Sequence, residues 1–279
     1  MHPVLVHFGP LLVPSYGVCA ALGILLMLGL AQWTAARAGL NPRHAWNVLV
    51  LGVFSALAVS RLALIVANLS DLRQHPAWLL AIAMVHHPLL AALGAVGALL
   101  AAIVYARWAR ITLAALGDCL AAPVSLGIAA EQLGALLAGS DYGRESFGGW
   151  AVTYTSELAA RWSGTPLGVP LYPVQAYAAL GALTLAAITL VWLGWPRRPG
   201  DVAGVGLVGA GALLAATEML RDWEGRGVLP GGFVDTPQLV GLGMVVAGGL
   251  VLMQWRPTTI REAGADSGAG AGKVQNGGS

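Results

Sequence analysis

Glu131 and Gln132 stand side by side in an otherwise apolar run, LAALGDCLAAPVSLGIAAEQLGALLAGSDYGR, residues Leu113–Arg144. A carboxylate next to an amide can hold a proton, accept hydrogen bonds from a hydroxyl or cation, or brace a polar headgroup. Neither group has bulk water to turn to in such a run. The other polar residues inside apolar segments are few: Arg61, Asp118, Glu218 and Arg221. A charge near the centre of a bilayer costs ~2.5–3.5 kcal/mol on insertion scales, so such residues face a protein interior and usually act there. Glu218 and Arg221 are three positions apart, which puts them on one helix face as an ion pair. Arg61 falls near the end of its apolar run, where a long side chain can snorkel to the interface. Asp118 falls near the start of its run, as a cap or among headgroups.

Other chemistries lack their residues. His86 and His87 are adjacent, so on a helix they point about 100° apart and do not address one ion together. Cys19 and Cys119 lie in separate apolar stretches and read as packing thiols. No G-x-S-x-G, phosphate-loop or dinucleotide motif occurs, which leaves a soluble-type hydrolase without support. No metal and no cofactor are expected.

The elements that must carry these groups follow from composition. Of 279 residues, 57% are hydrophobic and 10% charged, whereas a soluble domain carries about 25% charged residues. Mean hydropathy is +0.72. There are 38 glycines, suited to close helix packing in lipid. The chain reads as an all-α polytopic membrane protein, with one domain over 1–256 and a disordered low-complexity tail over 257–279. A net charge of +2 with no arginine cluster or aromatic-basic surface gives no case for nucleic acid. A span needs ~20 apolar residues. Seven runs qualify: 10–33, 46–68, 88–106, 112–138, 173–195, 202–221 and 236–255. A shorter piece, 77–85, is re-entrant or interfacial. No cleavable signal peptide is expected at the start, and no internal repeat supports an inverted-repeat transporter.

Arginine placement sets the orientation. Arg37 and Arg43, Arg107 and Arg110, Arg197 and Arg198, and Arg256 and Arg261 follow alternate spans with little acid nearby. Those connections are expected in the cytoplasm, with the N-terminus outside and the C-terminus inside. The connection over 140–172 is then external, and its Trp, Tyr and Thr content suits either a small ordered element between helices 4 and 5 or, equally, a plain interfacial belt.

The opening HPVLVHFGPLLVPSYG, His2–Gly17, follows the DPVIFSIGP…YG pattern of the prolipoprotein diacylglyceryl transferases, a seven-helix family with its N-terminus outside. EQLGALLAGSDYG, Glu131–Gly143, stands in the register of that family's hallmark G-R-x-G/A-N-F-x-N-x-E-x-x-G. YPVQAYA, Tyr172–Ala178, resembles its HP-x-Q-L-Y-E motif. GAGALLAATEMLR, Gly209–Arg221, resembles its sixth helix, and DTPQLVGLG at Asp235 its last. The resemblance covers nearly the whole membrane part.

The resemblance implies transfer of a diacylglyceryl group from phosphatidylglycerol to the lipobox cysteine of a preprolipoprotein, in lipoprotein biosynthesis at the bacterial plasma membrane. The partners it implies are phosphatidylglycerol, the lipobox peptide and membrane lipids. It assigns Tyr16, Glu218 and His87 to catalysis, the family histidine matching either His87 or Ala92. Glu131, Gln132, Gly143, Tyr172, Gln175, Tyr177 and Arg221 are assigned to substrate binding, and Arg61 and Arg144 are added there as replacement charge for arginines the pattern would have. The chain also departs from the pattern. Gln132 replaces the hallmark arginine, Ala135 the asparagine, Ser140 the glutamate, and Ala210 and Leu214 the tyrosine and arginine of the sixth helix. The alternative is therefore a catalytically silent member that binds phospholipid or a lipoprotein precursor as an adaptor.

Overall fold

A computed structural model describes residues 2–8, 11–69, 88–195, 197–221 and 236–254. A short hairpin, β1 (Val4–Phe8) and β2 (Leu11–Pro14), leads into α1 (Ser15–Arg37) and α2 (Pro42–Ala67). Then come α3 (Pro88–Trp108) and α4 (Leu113–Ala138), followed by β3 (Val152–Thr153), α5 (Glu157–Ser163) and β4 (Pro170–Leu171). The chain closes with α6 (Val174–Leu193), α7 (Asp201–Glu218) and α8 (Thr236–Gln254).

Among the described residues six helices, α1 to α4, α6 and α7, are long and apolar enough to cross a membrane. The seventh expected span is also helical, but its apolar stretch, Pro237–Met253, is shorter than the other six. The polytopic membrane reading therefore holds in its coarse form. The first span is corrected at its start. Residues expected to begin a helix at 10 instead form β2, antiparallel to β1 with Phe8 opposite Leu11 and Val4 opposite Pro14. Hydropathy alone does not separate an apolar strand from an apolar helix. Proline does: Pro14 has no N–H to donate back, and it sits at the N-cap of α1 with extended backbone. The fold is thus helical with two small two-stranded sheets rather than purely α.

Local signals fix the other helix ends. Asn41 caps α2 by accepting from the Arg43 amide, with Pro42 at the first helical position. Thr112 caps α4, and Gly139 closes it in the left-handed conformation. The first turn of α7 has no cap of its own from Gly200. Asp118 of α4 supplies one across the helix interface: its Oδ2 accepts from Gly200 N and its Oδ1 from Ala203 N, both at 2.8 Å. Asp118 is thus a cap, but for a neighbouring helix, and it is buried.

The bundle is assembled from close pairs: α1 on α4, α2 on α3, α4 on α6 and α7 on α8. The α7–α8 pair shows why small residues matter. A Cβ on Gly241 or Gly248 would lie 2.7 Å from the carbonyl oxygen of Gly211 or Gly204. The two pairs, 204 with 248 and 211 with 241, run in opposite directions seven residues apart, as an antiparallel contact requires. Away from this seam, Leu28, Ala31, Val48, Leu49, Tyr105, Leu116 and Cys119 belong to a core shared by α1, α2, α3 and α4. Cys19 and Cys119 are free thiols, the latter fully buried, in keeping with packing roles.

The 140–172 connection is an ordered element, one of its two expected forms. β3 pairs with β4, Val152 opposite Leu171, and α5 lies between them. Thr165 Oγ1 donates to the Gly139 carbonyl at 2.7 Å and ties this element to the end of α4.

Candidate active site

The polar groups of α4 meet α1 because Gly134 removes a side chain at their crossing. A Cβ there would lie 2.8 Å from Cys19 Cβ and 3.3 Å from Tyr16 Cα. That approach brings Tyr16 against Glu131, and the Tyr16 hydroxyl donates to Glu131 Oε1 at 3.0 Å. Gln132 Nε2 donates to Glu131 Oε2 at 2.7 Å. Both carboxylate oxygens therefore have a protein donor. Gln132 Oε1 is buried and, among the described residues, has no partner.

Past α4 the chain bends back over the helix ends. Asp141 takes a left-handed conformation, φ 56°, which Asp tolerates better than most residues. Its carboxylate reaches Arg221 Nη1 at 3.2 Å. Arg221 Nε is also 3.2 Å from Glu218 Oε1, so one buried guanidinium joins carboxylates from two elements. Glu218 and Arg221 are 4% and 9% exposed, so the ion pair expected from their spacing is an interior one. The charges of Asp141 and Arg221 both act on Glu131. Asp141, Glu218 and Arg221 thus form one ion-pair cluster beside the Tyr16–Glu131–Gln132 group.

Backbone pairing holds the bend in place. Gly143 N donates to the Tyr172 carbonyl at 3.2 Å, Tyr172 N to the Arg144 carbonyl at 3.0 Å, and Arg144 N to the Leu220 carbonyl at 3.0 Å. Gly143 also bridges to Arg221 as an antiparallel pair. A Cβ on Gly143 would lie 2.6 Å from the Tyr172 carbonyl oxygen, so no larger residue fits without moving backbone.

Gln175, at the start of α6, is fully buried. Its Nε2 donates to the Ser140 carbonyl at 2.6 Å and approaches Tyr154 Oη at 3.3 Å. It grips the hallmark segment from beneath. Tyr154 lies outside the spanning helices, and burial pushes its phenol above the usual tyrosine range, with the Gln175 contact opposing.

The remaining expected residues are spread more widely. Arg144 is exposed at the edge of the bend, its guanidinium 5.9 Å from the centre of the Tyr172 ring. Tyr177 lies one turn into α6 and is half-buried. Arg61 lies on α2, which packs chiefly on α3 and α1, while the ion-pair cluster and the Tyr16–Glu131–Gln132 group are built from α1, α4, the bend and α7. His87 lies outside the described residues, and its alternative, Ala92, is a half-buried residue of α3. Sequence reasoning missed Asp141, counting it only among the mixed charges of an external connection. An acid directly after Ser140, where the motif has its glutamate, was the signal for it.

A family model described as prolipoprotein diacylglyceryl transferase matches residues 3–255. The chain belongs to that family. The phosphatidylglycerol–prolipoprotein diacylglyceryl transferase of Pseudoalteromonas translucida is 27% identical over 266 residues, covering 91% of this chain and 92% of the relative. The enzyme of the same name from Vibrio cholerae is 29% identical over 260 residues, covering 91% and 90%. That from Photobacterium profundum is 26% identical over 264 residues. In this diacylglyceryl transferase family member the ion-pair cluster holds two acids and one guanidinium, with Glu131 beside it. Gln132 and Leu214 stand where the family motif has arginines, and Leu214 shares the α7 face of Glu218, four residues on.

Proposed function

We propose that this chain transfers a diacylglyceryl group from phosphatidylglycerol to the lipobox cysteine of a preprolipoprotein, in the plasma membrane, at the face where α1, α4, the bend and α7 meet. One observation carries the reading. Segments that match the family in four separate parts of the chain converge on one region, half-buried Tyr16 and Glu131 and buried Glu218 and Arg221, closed by Gly143 and Gln175.

The chemistry is a displacement. The substrate thiol gives its proton to a base, and the thiolate sulfur attacks the glyceryl carbon that carries the phosphate ester. A carbon–sulfur bond forms, the carbon–oxygen bond breaks, and glycerol phosphate leaves with the electron pair. His87 is assigned the base. Tyr16, held by Glu131, and Gln132 supply hydrogen bonds at the headgroup. Arg221 supplies counter-charge for the leaving phosphate, with Glu218 and Asp141 fixing its position. Arg144, Tyr172, Tyr177 and Arg61 are assigned to substrate binding. The arginine bias supports seven spans with this face outside and the C-terminus in the cytoplasm.

The charge count favours a second reading, a silent member that binds phospholipid or a lipoprotein precursor. Charge-assisted hydrogen bonds are about twice as strong as neutral ones. Losing one transition-state donor costs ~10²–10³ in rate, and two motif arginines are replaced here. A gel-shift assay of a lipobox peptide with phosphatidylglycerol decides between them. Lipidation abolished by Arg221→Met supports the transferase. No lipidation, with the peptide or lipid still bound, supports the adaptor.

A further inference from the structure

Beyond the charged cluster, the 139–173 connection carries an exposed aromatic tip. Its base is rigid: Ser146 N donates to the Pro170 carbonyl at 2.9 Å, and Glu145 bridges to Leu171. The tip is a formed turn, since Gly148 N donates to Ser146 Oγ at 3.2 Å and Ala151 N to the Gly148 carbonyl at 3.0 Å. On that turn Phe147 is 94% and Trp150 82% exposed. Trp162 and Leu167 of the same element are also exposed. The turn thus holds two large apolar rings away from its own protein.

Three observations point to lipid as the surroundings of those rings. The run SFGGWAVTYTS, Ser146–Ser156, has no charged residue. The segment leaves α4 at Ala138 and re-enters α6 at Val174, both helices of membrane-spanning length, so it sits at one end of the bundle. The exposed apolar sides of those helices, with Ile128, Leu133, Leu180 and Leu183, continue toward that end. Aromatic rings on an uncharged turn belong to the headgroup boundary, where Trp and Tyr concentrate. Arg144 and Glu145 are both exposed at the base of the turn.

We infer that the Phe147–Trp150 turn inserts into the phospholipid leaflet at its end of the bundle and anchors the 139–173 connection on lipid. The anchoring is independent of whether the charged cluster turns over a substrate.

The test is fluorescence quenching in phosphatidylcholine–phosphatidylglycerol vesicles. Cys19 and Cys119 are replaced by alanine, and a bimane label is placed through Phe147→Cys, Trp150→Cys or, as a reference, Glu157→Cys, whose side chain is 82% exposed beside Arg161. Labels at 147 and 150 are expected to lose about half or more of their emission to shallow doxyl lipids and little to aqueous iodide, with the reverse at 157. Iodide quenching at 147 and 150 equal to that at 157, without doxyl quenching, overturns the inference. So does protection from both quenchers, which would mean a protein covers the turn. If the cysteine-free background does not fold, the native chain serves. Brominated-lipid quenching of its ten tryptophans must then fall on Trp150→Phe, and no change overturns the inference.

Discussion

Arg221 joins Glu218 and Asp141, so its removal should do more damage than the loss of one side chain. In Arg221→Met, the Glu218 carboxylate, 3% exposed at the side chain, keeps its burial and loses the cation 3.2 Å away. Asp141 loses the same cation, but its side chain is 38% exposed and water can replace part of the contact. The penalty therefore concentrates on Glu218. Breaking a buried pair from one side costs ~3–5 kcal/mol. At ~2–4 °C per kcal/mol for a chain of this order, the midpoint should fall by roughly 6–20 °C. Arg221→Met with Glu218→Gln removes the stranded charge and should recover part of that, because groups in one network couple by ~0.5–3 kcal/mol. Asp141→Asn alone should cost less than either. The assay is thermal unfolding in nanodiscs, read by tryptophan emission for the singles and the double. Additive losses, with the double variant less stable than Arg221→Met, would refute the reasoning.

Three further outcomes follow from the site. Gly143→Ala places a Cβ 2.6 Å from the Tyr172 carbonyl, so it should lower the unfolding midpoint by an amount matching ~1–3 kcal/mol of overpacking, and lower lipidation with it; an unchanged midpoint would contradict the contact. Gln132→Arg puts a guanidinium beside Glu131, whose Oε2 is 2.7 Å from the present amide, so the single change should be muted while Gln132→Arg with Leu214→Arg raises lipidation further, and a larger gain from the single would count against it. The Tyr154 phenol is raised by burial, so its contribution to stability is full below the ordinary tyrosine value of 10.0 and lost as pH rises beyond it; Tyr154→Phe should flatten that alkaline loss in a midpoint-versus-pH series, and an unchanged slope would exclude the phenol as its source.

Much of the membrane architecture was legible because lipid imposes a simple rule on residues. A run of some twenty apolar positions becomes a helix, and six of the seven runs did so at spanning length. The N-terminal hairpin was not legible, because VLVHF and LLVP are as apolar as a span and hydropathy does not register strand pairing. The pairing of Glu218 with Arg221 was readable from helix geometry, since both lie on one face. The arrival of Asp141 at the same guanidinium was not. It depends on a left-handed residue and on a bend that returns the chain to the end of α7. Asp118 shows the same limit. Its position suggested a cap, but only the packing of α4 against α7 decides that Gly200 and Ala203 are the amides it caps.

The residues that match the family motif and those that depart from it divide by physical role. Gly143 and Gln175 match, and both hold the bend in place, one by leaving room for the Tyr172 carbonyl and the other by gripping Ser140. Glu218 and Arg221 match, and they join the end of α7 to that bend. Of the five departures, Gln132, Ser140 and Leu214 each remove a charge, while Ala135 and Ala210 each remove a neutral polar group. Asp141 then restores one carboxylate a single position along, reaching Arg221 through a left-handed turn. Geometry and charge have separated in this chain. The scaffold that would present a lipid headgroup is intact, while the counter-charge has contracted to a buried Arg221 shared by two acids and an exposed Arg144. On the proposed reading, a donor phosphate would have to compete with Asp141 and Glu218 for Arg221, and that competition would limit how much of the family's reaction the site supports.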